Sequence, residues 1–516
     1  MRETANPIRN LIRPYFDNAC MVREQRKELR SARTMWIWFA FLALLTLIAA
    51  SSYAGTTGDG SKGLSQVQAE LNSMYLVLIN VLAFFLPTAS IMGTATSLVQ
   101  EKNSRSLEMV MTTPVDMRAY LLGRLMAAYR TILLYLVLAL PFVSITVLIG
   151  GFTWWEVASA MILLSFHSLV LASMGLAIGA TQTKEGTATF LSFLAVFAYQ
   201  FITLYAALFL GGLAGGGSGG AQWLSAMNSF SSSSVSSQSS AILGMTLPNV
   251  VIVGFVSILL ARLFLMSACS TLAPLGTKFT LHFRIHALLF ALLLGGVNAV
   301  SASLVAGVGR GSFSGSTIGP SVGTGAFLSA AILCMIVAFL IVPISSHDRV
   351  SSIRNRLDGV FSWQGFRSGT PSGSLPFILL LFGCIYLPQL YNVRTTESFE
   401  AFLAFGIYGL GFILIAWALT AAYSIRCAFS IMARTYCYLT FAALAILPNF
   451  IIGILRTSGV IDESFDFTQI QIFRALIGYK PAELIITGLV CTGIAVAVAA
   501  RAKAESRRLN APPIQS

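Results

Sequence analysis

The sequence predicts an all-α polytopic membrane protein of about twelve transmembrane helices arranged as two six-helix halves. Three observations carry that prediction. Hydrophobic residues fill 56% of the 516 positions and charged residues only 10%, whereas soluble domains carry roughly 25% charged residues; the mean hydropathy is +0.78. The apolar residues fall in runs of about 18–28, the length a helix needs to cross about 30 Å of hydrocarbon. The basic residues collect on alternate connectors between those runs. The alternating short strands that a transmembrane barrel requires are absent.

In chain order the predicted spans are 35–53, 73–99, 131–151, 157–180, 186–213 and 241–261, then 285–307, 324–344, 374–391, 401–424, 436–455 and 482–500. Residues 1–34 form a basic interfacial segment in which VREQRKELRSAR has a thin apolar edge of Met21, Val22 and Leu29. This segment is too long for the basic region of a signal peptide, so no cleavage is expected. The first half covers 35–265, a linker follows at 266–284, a second and divergent half covers 285–500, and 501–516 is a tail. In both halves the connectors after the second and fifth spans are the long ones, a profile that suggests a structural repeat. The loop at 214–240 is Gly/Ser-rich, while its counterpart from Ser458 could place Phe467, Ile470, Phe473 and Leu476 on one side of a short surface helix.

Orientation follows from charge. With the N-terminus inside, 27 of the 33 Lys and Arg residues lie on the cytoplasmic side, leaving Lys62, Arg310, Arg394, Arg456, Arg474 and Lys480 outside. Both termini are then cytoplasmic. The net charge of +13 faces the anionic inner leaflet, so membrane lipids are expected partners and nucleic acid is not. The seven cysteines fall in spans or on the cytoplasmic side without CxxC spacing, which argues against a disulfide framework and against a zinc site.

The densest chemistry lies in residues 100–128, QEKNSRSLEMVMTTPVDMRAYLLGRLMAA, a charged island between two runs that carry no charge. Thr113-Pro114-Val115-Asp116 reads as a helix start, with Thr at the cap and Pro at the first helical position. Before it, 104–111 reads as a separate short helix with Leu107, Val110 and Met111 as apolar contacts and with Glu101 and Glu108 near its ends. Together these make a helical elbow.

Glu101-Lys102, Ser106-Leu107-Glu108, Thr112-Thr113-Pro114 and Gly123-Arg124 resemble the connector of type 2 ATP-binding-cassette exporter permeases. In that family an acidic-basic pair, a turn, Thr/Ser-Leu-Glu, a few apolar residues and Thr-x-Pro precede a Leu-rich helix with Gly-Lys/Arg. The basic run before the first span is similar to the family's N-terminal interfacial helix. Asn103 stands where an acid is usual and Arg105 where glycine often makes the turn; the second half, with SSHDRVSSIRNRLDG, matches in topology alone. The resemblance implies a permease in the inner membrane of a prokaryote whose elbow docks in a separate ATPase subunit. Glu101, Lys102, Ser106, Leu107, Glu108, Val110, Met111, Thr113 and Pro114 would then carry the coupling. ATP and Mg would be held by that partner, and this chain would need no cofactor or metal of its own and would not be an enzyme. Its substrate would be an amphipathic or lipid-like compound. A family member with six spans pairs with a second copy. Twelve spans here imply either a fused pseudo-dimer or, if the second elbow is not functional, a homodimer.

The glycine pattern from Gly55 to Lys62 is a poor phosphate loop, because its lysine is one place late and no strand precedes it. The span interiors lack Asp, Glu, Lys and Arg, which counts against an ion-coupled secondary transporter, the alternative reading from another class. A multi-span membrane enzyme is less well supported, since His282, His286 and His347 lack ligand spacing with carboxylates. His167, Asn80 and Gln200 are the polar intramembrane candidates for a substrate path. The other reading of His167 is a neutral imidazole hydrogen-bonded to a neighbouring helix.

Overall fold

The computed structural model describes residues 19–30, 32–57, 64–112, 116–148, 152–213, 228–231, 239–242, 245–272, 279–308, 327–335, 337, 375–393, 396–426, 436–437, 439–440 and 481–510. Its helices are α1 (Ala19–Leu29), α2 (Ala32–Thr57), α3 (Leu64–Asn103), α4 (Ser106–Thr112), α5 (Met117–Leu148), α6 (Trp154–Thr181), α7 (Glu185–Leu213), α8 (Asn249–Leu272), α9 (Phe279–Val308), α10 (Leu375–Tyr386), α11 (Thr396–Arg426) and α12 (Pro481–Asn510). Short 3₁₀ turns occupy Ser229–Ser231 and Leu387–Asn392. Residues 327–335 are also helical.

Among the described residues eight helices are long and apolar enough to cross a membrane, and Met35–Ser51 of α2 is a shorter apolar helix. The predicted spans 73–99, 131–151, 157–180, 285–307, 374–391, 401–424 and 482–500 all fall on these eight. Most of 436–455 and the surface helix expected after Ser458 lie outside the described residues.

The chain divides into two compact units, the first built from Met1–Gly211, Ala221–Ser240 and Met245–Leu275, the second from Gly212–Gly220, Ala241–Gly244 and Gly276–Ser516. In the first, Phe41 and Leu45 of α2, Leu78 and Leu82 of α3, Tyr135 and Ala139 of α5 and Ala160 and Leu164 of α6 share one buried apolar core. Aromatic rings pin α2 to it: Phe41 stacks on Phe85 at 5.0 Å and meets Tyr135 edge-on at 5.1 Å. In a bilayer such contacts are won by close packing rather than by escape from water. The α3–α6 seam shows how. Gly175 and Gly179, spaced as GxxxG, bring the backbones together so closely that a Cβ on Gly175 would lie 2.4 Å from the Ile91 carbonyl oxygen, and one on Gly179 2.7 Å from that of Ala95. Ser90 Oγ and Thr94 Oγ1 then donate across the seam to the carbonyls of Ser168 and Ala172, at 3.1 and 2.9 Å.

The start of α6 is capped as its sequence allows. Glu156 N donates to Thr153 Oγ1 at 3.3 Å, and Thr153 N donates to Glu156 Oε2 at 2.7 Å.

In the second unit α11 and α12 approach closely, a Cβ on Gly411 lying 2.6 Å from the Gly488 carbonyl oxygen, and α9 meets α10 as closely, a Cβ on Gly295 lying 2.6 Å from the Cys384 carbonyl oxygen. Gln389 and Asn392, in the 3₁₀ turn after α10, donate to the carbonyls of Gly295 and Ala299 on α9, each at 3.1 Å.

One predicted span is corrected at its start. The sixth was expected from 241, but Ser239–Ile242 and Met245–Pro248 form a two-stranded sheet and α8 starts at Asn249. Pro248 has no N–H to give a helix and biases the preceding residue toward extended backbone, so the helix begins after it. The ninth, predicted at 374–391, falls on the apolar span Leu375–Asn392; within it α10 ends at Tyr386 and Pro388 sits in the 3₁₀ turn that completes it. Pro87 and Pro141 do lie inside α3 and α5.

Candidate functional site

The elbow is built from the end of α3. Ser104 N donates to the Gln100 carbonyl at 2.9 Å and Arg105 N to that of Lys102 at 3.1 Å. Arg105 then turns the chain with φ 57°, the left-handed region that costs an L-residue about 1–2 kcal/mol and that glycine enters freely. The hydroxyls of Ser104 and Ser106 both donate to the Glu101 carbonyl, at 3.2 and 3.3 Å, closing the helix end.

The short helix expected over 104–111 is α4, Ser106–Thr112, with Ser104 and Arg105 forming the turn before it. The next helix starts later than expected, at Met117, and Asp116 lies just before it, its carboxylate accepting from Arg118 N at 3.2 Å. An acceptor ahead of the first turn satisfies an orphan helix N–H. Thr113, Pro114 and Val115 lie outside the described residues.

At the base of the elbow Glu101 is buried, at 8% exposure, and gathers three donors. Its Oε1 accepts from Arg23 Nη2 of α1 at 3.0 Å. Its Oε2 accepts from Tyr120 Oη and Arg124 Nη1 of α5. Arg124 also donates to Tyr120 Oη at 3.0 Å. A carboxylate taken out of water is costly unless paired and hydrogen-bonded, and this one is both. Nearby, Arg130 donates to Gln25 at 3.2 Å, and Met21 of α1 is fully buried. Burial pushes the neighbouring Cys20 thiol up, with the Arg23 charge acting in the opposite sense.

Lys102 faces the other way. Its Nζ donates to the carbonyls of Gly179, Ala180 and Gln182, at 2.6, 2.5 and 3.1 Å. These belong to the end of α6 and the residue after it, where carbonyls lack helical partners and the helix dipole favours a cation.

The expected coupling residues therefore separate into two groups. Glu101, Lys102 and Ser106 direct their polar groups into their own chain, and Leu107 is buried, at 4% exposure. Glu108 is exposed and Val110 half-buried. Among the described side chains of α4 the exposed apolar one is Met109, at 71%. Met111 is helical. Arg23 and Tyr120 were not singled out from sequence, and Arg124 only as part of the Gly123-Arg124 pair, with no partner assigned to it. Tyr120 and Arg124 stand one helical turn apart on α5, so a face with two donors to a carboxylate was readable there.

Of the substrate-path candidates, His167 is fully buried in α6 and its Nδ1 lies 3.4 Å from Tyr199 Oη of α7. Gln200 is buried beside that tyrosine, whereas Asn80 lies on an exposed face of α3. Among the described residues no group of three or more His, Cys, Asp or Glu side chains could hold a metal ion.

Neither a protein-family model nor a curated protein matches this chain.

Proposed function

We propose that this chain is the membrane-spanning permease subunit of an ATP-binding-cassette exporter, moving an amphipathic or lipid-like substrate under the power of a separate ATPase subunit. The observation that supports it is the elbow: a seven-residue helix that offers Glu108 and Met109 outward while its base is tied to α1, α5 and α6. A push on α4 reaches those helices through short, charge-assisted bonds rather than through a slack loop. An exposed methionine beside a carboxylate suits a partner cleft that is apolar at its centre and basic at its rim.

In this reading Glu101 and Lys102 transmit the force, and Glu108 with Met109 receives it. The permease has twelve spans in an inner membrane, the four beyond the eight long helices being those predicted at 35–53, 186–213, 324–344 and 436–455. The fused arrangement places one chain on two ATPase subunits, and native mass measurement of the solubilised complex tests it: two chains per two subunits would refute it.

Docking itself is tested by co-purifying ATP-binding-cassette ATPase with the tagged chain from its own membranes. Glu108→Lys with Met109→Asp should abolish capture and leave the unfolding temperature of the purified chain unchanged. Capture and transport both unaffected in that variant would remove the elbow from the mechanism. Leu107→Asp serves as the contrast, because it places a charge in the fold and lowers stability whether or not a partner binds.

A further inference from the structure

In the first unit, Asn228–Ser231 of the 214–240 connector meets the helices. Asn228 and Ser229 are fully buried. Asn228 Nδ2 donates to the main-chain carbonyl of Gln200 at 2.8 Å and to Thr203 Oγ1 at 3.1 Å, while its own side-chain carbonyl accepts from Phe230 N at 2.9 Å. Gln200 Nε2 donates to Ser229 Oγ. The turn also touches α3 and α6.

Gln200 lies about 22 Å along α7 from Glu185, with about 20 Å of helix still to come before Leu213. The turn therefore meets a spanning helix near its middle. Non-helical backbone at that depth is tolerated only where protein buries it or where it lines a water-filled cavity, and interrupted backbone near the midplane is where transporters place their binding sites. The fit is also incomplete. Gln200 Oε1 is buried and accepts no hydrogen bond from any of the described residues, a costly arrangement for an amide carbonyl.

We infer that Asn228 and Ser229 are a removable plug seated on a binding site formed by Gln200 and Thr203, and that this site takes the neutral, hydroxyl- or carboxamide-bearing head of the amphipathic substrate. The inference rests on the exporter reading and names its substrate class. The plug is itself one carboxamide and one hydroxyl. A ligand that replaces it must donate to the Gln200 carbonyl and to Thr203 Oγ1 and accept from Gln200 Nε2. A head with one more donor reaches Gln200 Oε1 as well, which the plug leaves bare. None of the four residues carries charge, so a charged head buried there would lack a counter-charge. The sequence on both sides of the turn is rich in glycine and serine.

The test uses the full chain alone in phosphatidylcholine nanodiscs, titrated with a tail-labelled fluorescent alkyl glucoside. The same tail with a trimethylammonium or a sulfate head is the comparison. Asn228→Ala weakens the plug and should tighten glucoside binding about five- to tenfold, the worth of one or two hydrogen bonds. Adding Gln200→Leu should erase that gain, and neither charged probe should gain. Unchanged or weaker glucoside binding in Asn228→Ala, or an equal gain for a charged head, overturns the inference. If Asn228→Ala is not recovered folded, Ser229→Ala, which removes only the hydroxyl, decides by the same criterion. No ATPase takes part, so loss of ATPase capture would leave this result standing, and a negative result here would leave ATPase docking untouched.

Discussion

Glu101 and Arg124 form an ion pair across the elbow, with side-chain exposures of 10% and 4%. The pair joins the last turn of α3 to the second turn of α5, and Tyr120 and Arg23 add two further donors to the carboxylate. Two charges so placed fix geometry first, because their mutual attraction largely offsets what their burial costs.

Removing one partner is therefore worse than removing both. Arg124→Met should destabilise the chain by about 3–5 kcal/mol, since it leaves a buried carboxylate short of its strongest donor. Glu101→Met combined with Arg124→Met should recover most of that loss. Thermal unfolding of the purified chain in detergent measures both, and a double variant no more stable than the single one would show that the pair contributes net stability.

Lys102 presents a point charge to three converging carbonyls. Lys102→Met should strand them and cost about 2 kcal/mol, with faster amide exchange over residues 179–184 as the local sign. Lys102→Arg should not restore the wild-type pattern, because a planar guanidinium matches a carboxylate fork better than three carbonyls aimed at one point. Normal protection in Lys102→Met would show that the end of α6 is held by other groups.

Arg105 sits at φ 57° with an exposed side chain. Arg105→Gly should raise stability by up to about 1 kcal/mol, the left-handed strain relieved being partly offset by the entropy of glycine in the unfolded chain. Arg105→Val should lower it, because a branched Cβ crowds that conformation most. The two denaturation midpoints in detergent, ranked against wild type, check this; a destabilised glycine variant would show that the arginine side chain outweighs its backbone strain.

Much of the elbow was legible in the sequence. The charged island between uncharged runs marked where the chain leaves its spans, and the position where the family resemblance expects a turning glycine is the one the structure turns to positive φ at Arg105. The face of α4 was less legible. Seven residues make only two turns, too few for a hydrophobic period to choose between Leu107 inside and Met109 outside, so the surrounding helices chose. The breaks at Pro248 and Pro388 were present as residues, but a proline in an apolar run reads equally as a kink or as an end.

What the sequence by itself determined is the class of molecule: long apolar runs can satisfy their backbone in hydrocarbon only as helices, so composition and run length were enough to predict a helical membrane-like architecture. What only the tertiary structure decided is which polar groups are available. Glu101 looks like a surface acid in a charged loop, yet Arg23, 78 positions earlier, and Arg124, 23 positions later, meet it once α1, α3 and α5 pack. Lys102 looks like a surface cation in the same loop, yet it spends its donors on carbonyls at the end of α6. Asn228 looks like part of a Gly/Ser-rich loop, yet it is buried against the middle of α7. A hydrogen bond depends on where two groups are brought in space, and the spacing of residues along one chain carries no record of that for partners on different helices.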